Sequence, residues 1–140
     1  MLTGEYRHSV DPKNRLFIPA KHREELGNTF MIVKDVRGPR LKIYSMGAWE
    51  AYIAPIRSQE RKLAEAALRF LHKDAVTAEP DSQGRVLLTP ALLQYAGIAK
   101  EAVIVGCADY AEIWAADVYD AEMAAESPEN LRAALESIGL

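Results

Sequence analysis

Two five-residue turns carry the residue types best suited to recognition chemistry. Asp11-Pro12-Lys13-Asn14-Arg15 and Asp81-Ser82-Gln83-Gly84-Arg85 share aspartate at the first place and arginine at the fifth. A short carboxylate can accept backbone N–H groups of its own turn, as in an Asx turn, and can also pair with the arginine. On that reading the motif is structural, and an exposed ion pair of this kind adds little stability. On the other reading Asp11 and Asp81 set the loops while Arg15 and Arg85 project outward. There a planar guanidinium can grip phosphate or pair bidentately with guanine O6 and N7 in a major groove. Lys13 and Arg7 flank Arg15, whereas Gln83 flanks Arg85. The first turn is therefore expected to lead in contacting DNA. The residues alone leave both readings open.

Elsewhere the chemistry is sparse. His8, His22 and His72 share no metal-ligand spacing, and Cys107 is the only cysteine. The histidines read as partly exposed structural residues, with His8 able to bond to the Asp11 turn. Cys107 reads as a small inert hydrophobe. There is no glycine-rich phosphate loop, nucleophile elbow or His-Glu-x-x-His run. The carboxylate pairs (Glu24-Glu25, and Asp117 with Asp120) fall on expected solvated helix faces. The expectation is a chain with no catalytic residues, no metal, no cofactor and no small-molecule substrate.

These residues must be held by a modest core. The 140 residues are 49% hydrophobic and 26% charged, a globular composition for one domain or two very small ones. One cysteine excludes an internal disulfide and suggests a cytoplasmic setting. No apolar run approaches the roughly 20 residues of a membrane span, and the first residues do not read as a secretory leader. Net charge is −3, yet it is unevenly spread. Residues 6–42 hold nine basic and four acidic groups, while residues 100–140 hold two basic and nine acidic. A basic half can still bind a polyanion, because screening confines each patch to its neighbourhood.

The turns recur because the chain is a repeat. A shift of 70 places aligns Asp11–Ile18 with Asp81–Leu88, Gly27 with Gly97, Ile43-Tyr44 with Ile113-Trp114, and Trp49 with Tyr119. Each copy reads as a β-hairpin around the Asp turn, a helical turn (Ala20–Leu26 or Ala91–Ala96), a second hairpin and a short helix. The second hairpins pair Phe30–Val33 with Leu41–Tyr44, and Val103–Val105 with Glu112–Trp114. The repeats span residues 5–52 and 76–119. Either copy alone would be marginal, so two that interleave their sheets would share one core. Between them Ile56–His72 carries Leu63, Ala67, Phe70 and Leu71 on a helical stripe, suited to packing on the sheet or on another subunit. The tail Asp120–Leu140 reads as an acidic amphipathic helix starting at Ser127-Pro128-Glu129, with Leu131, Leu135 and Ile138 apolar.

At these residues the chain resembles the MraZ family of bacterial transcriptional regulators, built from two SpoVT-AbrB-type repeats. The resemblance rests on Gly4-Glu5-Tyr6, His8-Ser9-Val10-Asp11, the two Asp-x-x-x-Arg turns, Ile18-Pro19-Ala20 with Arg23, Ala96-Gly97-Ile98, Val105-Gly106 and Glu112-Ile113-Trp114. It implies an α+β fold, mainly β: a pseudo-dimer of swapped hairpins with one barrel-like core, short helices and a helical C-terminal tail. It further implies a cytoplasmic, nucleoid-associated protein. Such a protein binds direct repeats in the promoter of its own division and cell-wall gene cluster, as a ring-like homo-oligomer on double-stranded DNA. By position, Arg15 and Arg85 are the motif arginines, Asp11 and Asp81 their turn partners, and Lys13 a nearby basic contact. Several residues depart from the pattern. Thr3 stands where a basic residue is usual, Asn14 replaces glycine, Thr89 replaces proline, and Leu93 stands where the first copy has Arg23. These departures make the second copy less basic. A different class of function, an oligomeric assembly scaffold that binds protein partners in place of DNA, is motivated by the acidic C-terminal half.

Overall fold

A computed structural model describes all 140 residues. Its elements run β1 (Glu5–Ser9), β2 (Arg15–Phe17), α1 (Ala20–Leu26), β3 (Phe30–Lys34), β4 (Leu41–Ser45), α2 (Met46–Arg57) and α3 (Arg61–His72). They continue with β5 (Val76–Ala78), β6 (Arg85–Leu87), α4 (Pro90–Ala96), β7 (Glu101–Gly106), β8 (Ala111–Ala115), α5 (Ala116–Ala125) and α6 (Pro128–Ser137). The fold is α+β with antiparallel pairing throughout.

Apolar alternation sorts the strands into two layers. Six of them form a sheet in the order β1-β7-β8-β4-β3-β5, and β2 pairs with β6 in a separate two-stranded ribbon. On one face of the sheet, Phe30, Ile32, Leu41, Ile43, Ala102, Ile104 and Ile113 meet Leu16, Ile18, Val86, Leu88 and Leu92 from the ribbon and α4. The opposite face carries Met31, Val33 and Tyr44 under Trp49, Ile53 and Leu71 of α2 and α3. Beside them Val103 and Trp114 pack under Tyr119 of α5. Period-two alternation places successive side chains on these opposite faces, and both faces are covered.

Three expectations change here. First, β1 and β2 do not form a hairpin ladder. Two backbone bonds within the turn close it, Asp11 N–H to the Arg15 carbonyl and Asn14 N–H to the Asp11 carbonyl, each 2.9 Å. Beyond it β1 joins β7 and β2 joins β6, so the ladder partners come from the other repeat. In the same way β5 pairs with β3. Second, hydrogen bonding leaves the main sheet open. Its edges β1 and β5 do not pair, and the core lies between a sheet and a ribbon, without barrel closure. Third, the bridging segment is two helices broken at Ser58–Glu60, with Glu60 capping α3 through the Lys62 and Leu63 N–H groups. The buried face of α3 is Ala64 and Leu71, whereas Leu63 is 57% and Phe70 38% exposed. Residues at i and i+7 share a face, so Ala64 with Leu71 turns Leu63 and Phe70 aside by about one residue's rotation.

The tail forms its helix where expected. Ser127 accepts from the Asn130 N–H, Pro128 opens the first turn, and none of α6 is buried. His22 is a core residue, 1% exposed, because α1 turns His22 and Leu26 inward together. Its Nε2 lies 2.7 Å from the Thr3 carbonyl, which can only accept, so this nitrogen carries the proton. No helix is long and apolar enough to cross a membrane.

Candidate nucleic-acid interface

Both turns are built from the same bonds. Asp11 Oδ1 accepts from the Lys13 and Arg15 N–H groups at 2.9 and 2.8 Å. Asp81 Oδ1 accepts from those of Gln83 and Arg85, each at 2.9 Å. In each turn the fourth residue donates its N–H to the aspartate carbonyl and adopts positive φ, 62° at Asn14 and 80° at Gly84. Asparagine tolerates this left-handed conformation better than most residues with a Cβ, so its replacement of glycine leaves the turn intact. The same residues cross-link the repeats: the Asn14 carbonyl accepts from Leu88 N–H, and the Gly84 carbonyl from Ile18 N–H. The two turns thus flank the ribbon at its opposite ends, the first entering β2 beside Leu88 and the second entering β6 beside Ile18.

The second carboxylate oxygen holds the arginine. Arg15 Nε donates to Asp11 Oδ2 at 2.7 Å, and Arg85 Nε to Asp81 Oδ2 at 3.0 Å. Arg85 Nη1 also lies 3.7 Å from Asp11 Oδ2, so one carboxylate oxygen faces both guanidinium groups. Donation from the backbone N–H of Arg15 to Asp11 and of Arg85 to Asp81, supported by the Lys13 and Gln83 N–H groups and the arginine side chains, holds both aspartate carboxyls below the usual carboxylate range. With Nε tied down, the terminal Nη nitrogens of Arg15 make no hydrogen bond within the protein. The structural reading of the motif is met in both turns. Aspartate fixes the turn and aims the arginine, while the outer edge of the guanidinium fork stays available.

The ribbon sets what surrounds these forks. Leu16 and Val86 point inward, leaving Arg15 opposite Leu87 and Phe17 opposite Arg85 on the outer face. Phe17 is met edge-on by His8 at 5.1 Å, the contact His8 makes in place of a bond to the Asp11 turn. Arg23 lies over Phe17 at 5.5 Å and donates Nε to the Ile18 carbonyl at 2.9 Å. A Cβ on Gly84 would fall 2.7 Å from the Arg23 Cζ. A cation of repeat 1 thus packs on the turn of repeat 2, which offsets the second copy's own lack of basic residues. No residue spacing could have shown this, because it depends on strand exchange. The available signal was only that Arg23 recurs in the resemblance.

The expected site residues divide accordingly. Arg15, Arg85, Asp11 and Asp81 come together, and Lys13 is exposed at the tip of the first turn without an acidic partner. Arg7 is not with them. It sits opposite Val103, the residue that packs under α5, and makes two bonds to Asp120 at 2.6 and 3.2 Å beneath Tyr119. Its bond and charge hold the Asp120 carboxyl low. Period-two alternation separates it from Tyr6 and His8, which face the ribbon side. Arg40 and Lys42 are likewise engaged elsewhere, with Asp35, Glu112 and Tyr110. Much of the basic charge of the first half is therefore not at the turns.

Comparison with known proteins gives a consistent result. The MraZ protein family model matches the chain twice, over residues 1–71 and 70–137. A protein of Pelotomaculum thermopropionicum named "Transcriptional regulator MraZ" is 45% identical over 122 residues, covering 86% of this chain and 83% of the relative. One of the same name from Caldicellulosiruptor saccharolyticus is 37% identical over 146 aligned positions, covering all of both chains. Another, from Ligilactobacillus salivarius, is 36% identical over 132 residues, covering 93% of this chain and 91% of the relative.

Proposed function

The chain belongs to the MraZ family, and we propose that it is a transcription regulator, not an enzyme, that binds double-stranded DNA through the outer face of the β2-β6 ribbon. The observation that carries this is the pair of aspartate-held arginine forks, set diagonally on the outer face of one narrow antiparallel ribbon. Adjacent strands are about 4.8 Å apart, and a major groove about 12 Å wide admits a two-stranded ribbon. Tying each Nε to a carboxylate removes rotamer freedom before binding, so less is lost on contact. In this reading Arg15 and Arg85 read base edges or phosphate, Lys13 contacts phosphate, and Asp11 and Asp81 orient the forks. Arg7 serves the fold.

A single ribbon offers few cations, so useful affinity requires several copies on one DNA molecule. This accords with a ring-like homo-oligomer on direct repeats in the promoter of its own division and cell-wall gene cluster, in the cytoplasm and associated with the nucleoid. An assembly gathers its basic tips, which answers the negative net charge.

The test is fluorescence anisotropy with DNA from upstream of the chain's own operon, against a scrambled duplex, at two salt concentrations. Arg15→Ala and Arg85→Ala should each weaken specific binding roughly 5- to 150-fold, equivalent to about 1–3 kcal/mol per lost bidentate contact, with an unchanged circular dichroism spectrum. Arg7→Ala should bind like the unmodified chain. Equal affinity for both duplexes, unchanged in the two ribbon variants, would refute the proposal and favour the protein-scaffold function.

A further inference from the structure

Where β4 runs into α2 the surface opens into a cleft of about 690 Å³. That volume lies within the roughly 300–1,000 Å³ of small-molecule sites. Its walls come from β4 and α2, the end of α1, the first two residues, and the turn between β7 and β8. The β2-β6 ribbon contributes nothing to it, so the cleft is separate from the DNA surface proposed above.

Period-two alternation puts Lys42 and Tyr44 of β4 on one face of the sheet, and both line the cleft. The Tyr44 ring is 4% exposed, 5.2 Å from the Tyr52 ring and 5.7 Å from that of Tyr110. Its hydroxyl makes no hydrogen bond within the chain and is not sealed from the cleft. Burial pushes this phenol above its ordinary value, so it keeps its proton and can donate. An aromatic lining with one unpaired hydroxyl is the arrangement that orients a ligand's polar group.

Lys42 supplies the charge. Its amine lies 4.3 Å from the centre of the Tyr110 ring. The nearest carboxylate oxygen, Oδ2 of Asp35, is 4.0 Å away and already takes Arg40 at 2.6 Å. Glu112, across the ladder, is turned to Arg40 and Trp114. The ammonium therefore keeps donors for a further acceptor. Helix α2 starts at Ser45 in the cleft wall and adds the positive end of its dipole. Among the other charged lining groups, Glu25 is paired with the N-terminal amine at 2.8 Å, while Arg37 and Asp109 are both exposed and opposite in sign.

We propose that this cleft is a ligand site for a small aromatic anion, with its ring against Tyr52 and Tyr110 and its acidic group on the Lys42 amine and the Tyr44 hydroxyl. A planar ring is favoured by a lining of aromatic faces. A carboxylate or phosphate accepts from an ammonium and a phenol together. The site does not depend on the DNA reading.

Saturation-transfer difference NMR titrations on the full chain test this with 2-naphthoate, the uncharged 2-naphthalenemethanol and the cationic 2-naphthylmethylamine. The carboxylate should bind about 10-fold more tightly than either analogue, because its bonds to the site are charge-assisted. Lys42→Gln should erase that preference, and Tyr44→Phe should weaken 2-naphthoate about 3- to 10-fold. Ala51→Trp, which fills the cleft from an exposed position, should abolish binding of all three probes. Circular dichroism checks that each variant keeps its fold. Equal binding by the unmodified chain and all three variants would place the probe on exposed apolar side chains such as Leu63 or Leu135, and would overturn the site. Tighter binding of the amine would overturn the anion class. Failure of every probe to bind, with a fall in light-scattering mass for Tyr52→Asp, would overturn the site in favour of a contact between copies; the same failure without a change of mass would leave no ligand site at all.

Discussion

Replacing Gly84 with alanine tests the contact through which one repeat braces the other. The backbone there has φ of 80°, where an L side chain costs about 1–2 kcal/mol. Reduced freedom of the unfolded chain returns about 0.4–1 kcal/mol of that. The new Cβ would also lie 2.7 Å from Cζ and 2.9 Å from Nε of Arg23. The guanidinium must move, weakening its 2.9 Å bond to the Ile18 carbonyl and its place over Phe17. A charge-assisted bond of that kind contributes about 1.5–3 kcal/mol, and a flexible arginine recovers part of it by relaxing. The expected total is about 2–3 kcal/mol, or roughly 8–12 °C in Tm for a chain of this size. Urea unfolding of Gly84→Ala, Arg23→Leu and the double variant completes a cycle. Leucine, the residue at the equivalent place in repeat 2, removes the atoms that clash. The double variant should therefore be more stable than the sum of the single changes by about 1–2 kcal/mol. Additivity within about 0.5 kcal/mol would refute the packing of Arg23 on the second turn.

Acid should loosen the turns. The carboxyls of Asp11, Asp81 and Asp120 are held low in the fold, so the unfolded chain binds more protons in acid. Their contribution is complete above the ordinary carboxylate value of about 4 and is lost as pH falls through the lowered values. Urea midpoints should be level near neutrality and decline below about pH 4. A midpoint that rises on acidification would contradict this. Cys107 should be slow toward disulfide reagents at pH 8, because burial, with Glu112 nearby, pushes its thiol up to about 11. Stopped-flow modification rates should climb steeply only toward that pH, and a rate plateau near pH 8 would show a thiol that is not desolvated.

How far the sequence could be read depended on the range of the interactions. The Asp-x-x-x-Arg turns were legible because each bond of Asp11 reaches residues two to four places away. Helix α1 ends at Gly27, and α6 begins at Ser127-Pro128, for equally local reasons. Three readings drawn from flanking position were different in kind. Arg7 stands near Arg15 in sequence, but belongs to a strand that pairs with β7 and faces α5. The α3 stripe was right at Leu71 but not at Leu63 and Phe70, because the buried face takes Ala64, seven places before Leu71, in place of Leu63. His22 is buried because α1 turns that face inward, against the Tyr6 ring and the Thr3 carbonyl.

By itself the sequence determined the duplication, the turn chemistry, the order of helices and strands, and which arginines could act as a pair. These follow from turn geometry, capping and periodicities of 2 and 3.6 residues, all properties of short segments. Only the tertiary structure decided that the two turns flank one shared ribbon, that Arg23 serves the other repeat's turn, and that α6 buries nothing. Those outcomes depend on which strands pair across 70 residues of chain. The pairing is selected by the one arrangement that buries both repeats' apolar faces together, and no local segment carries that choice.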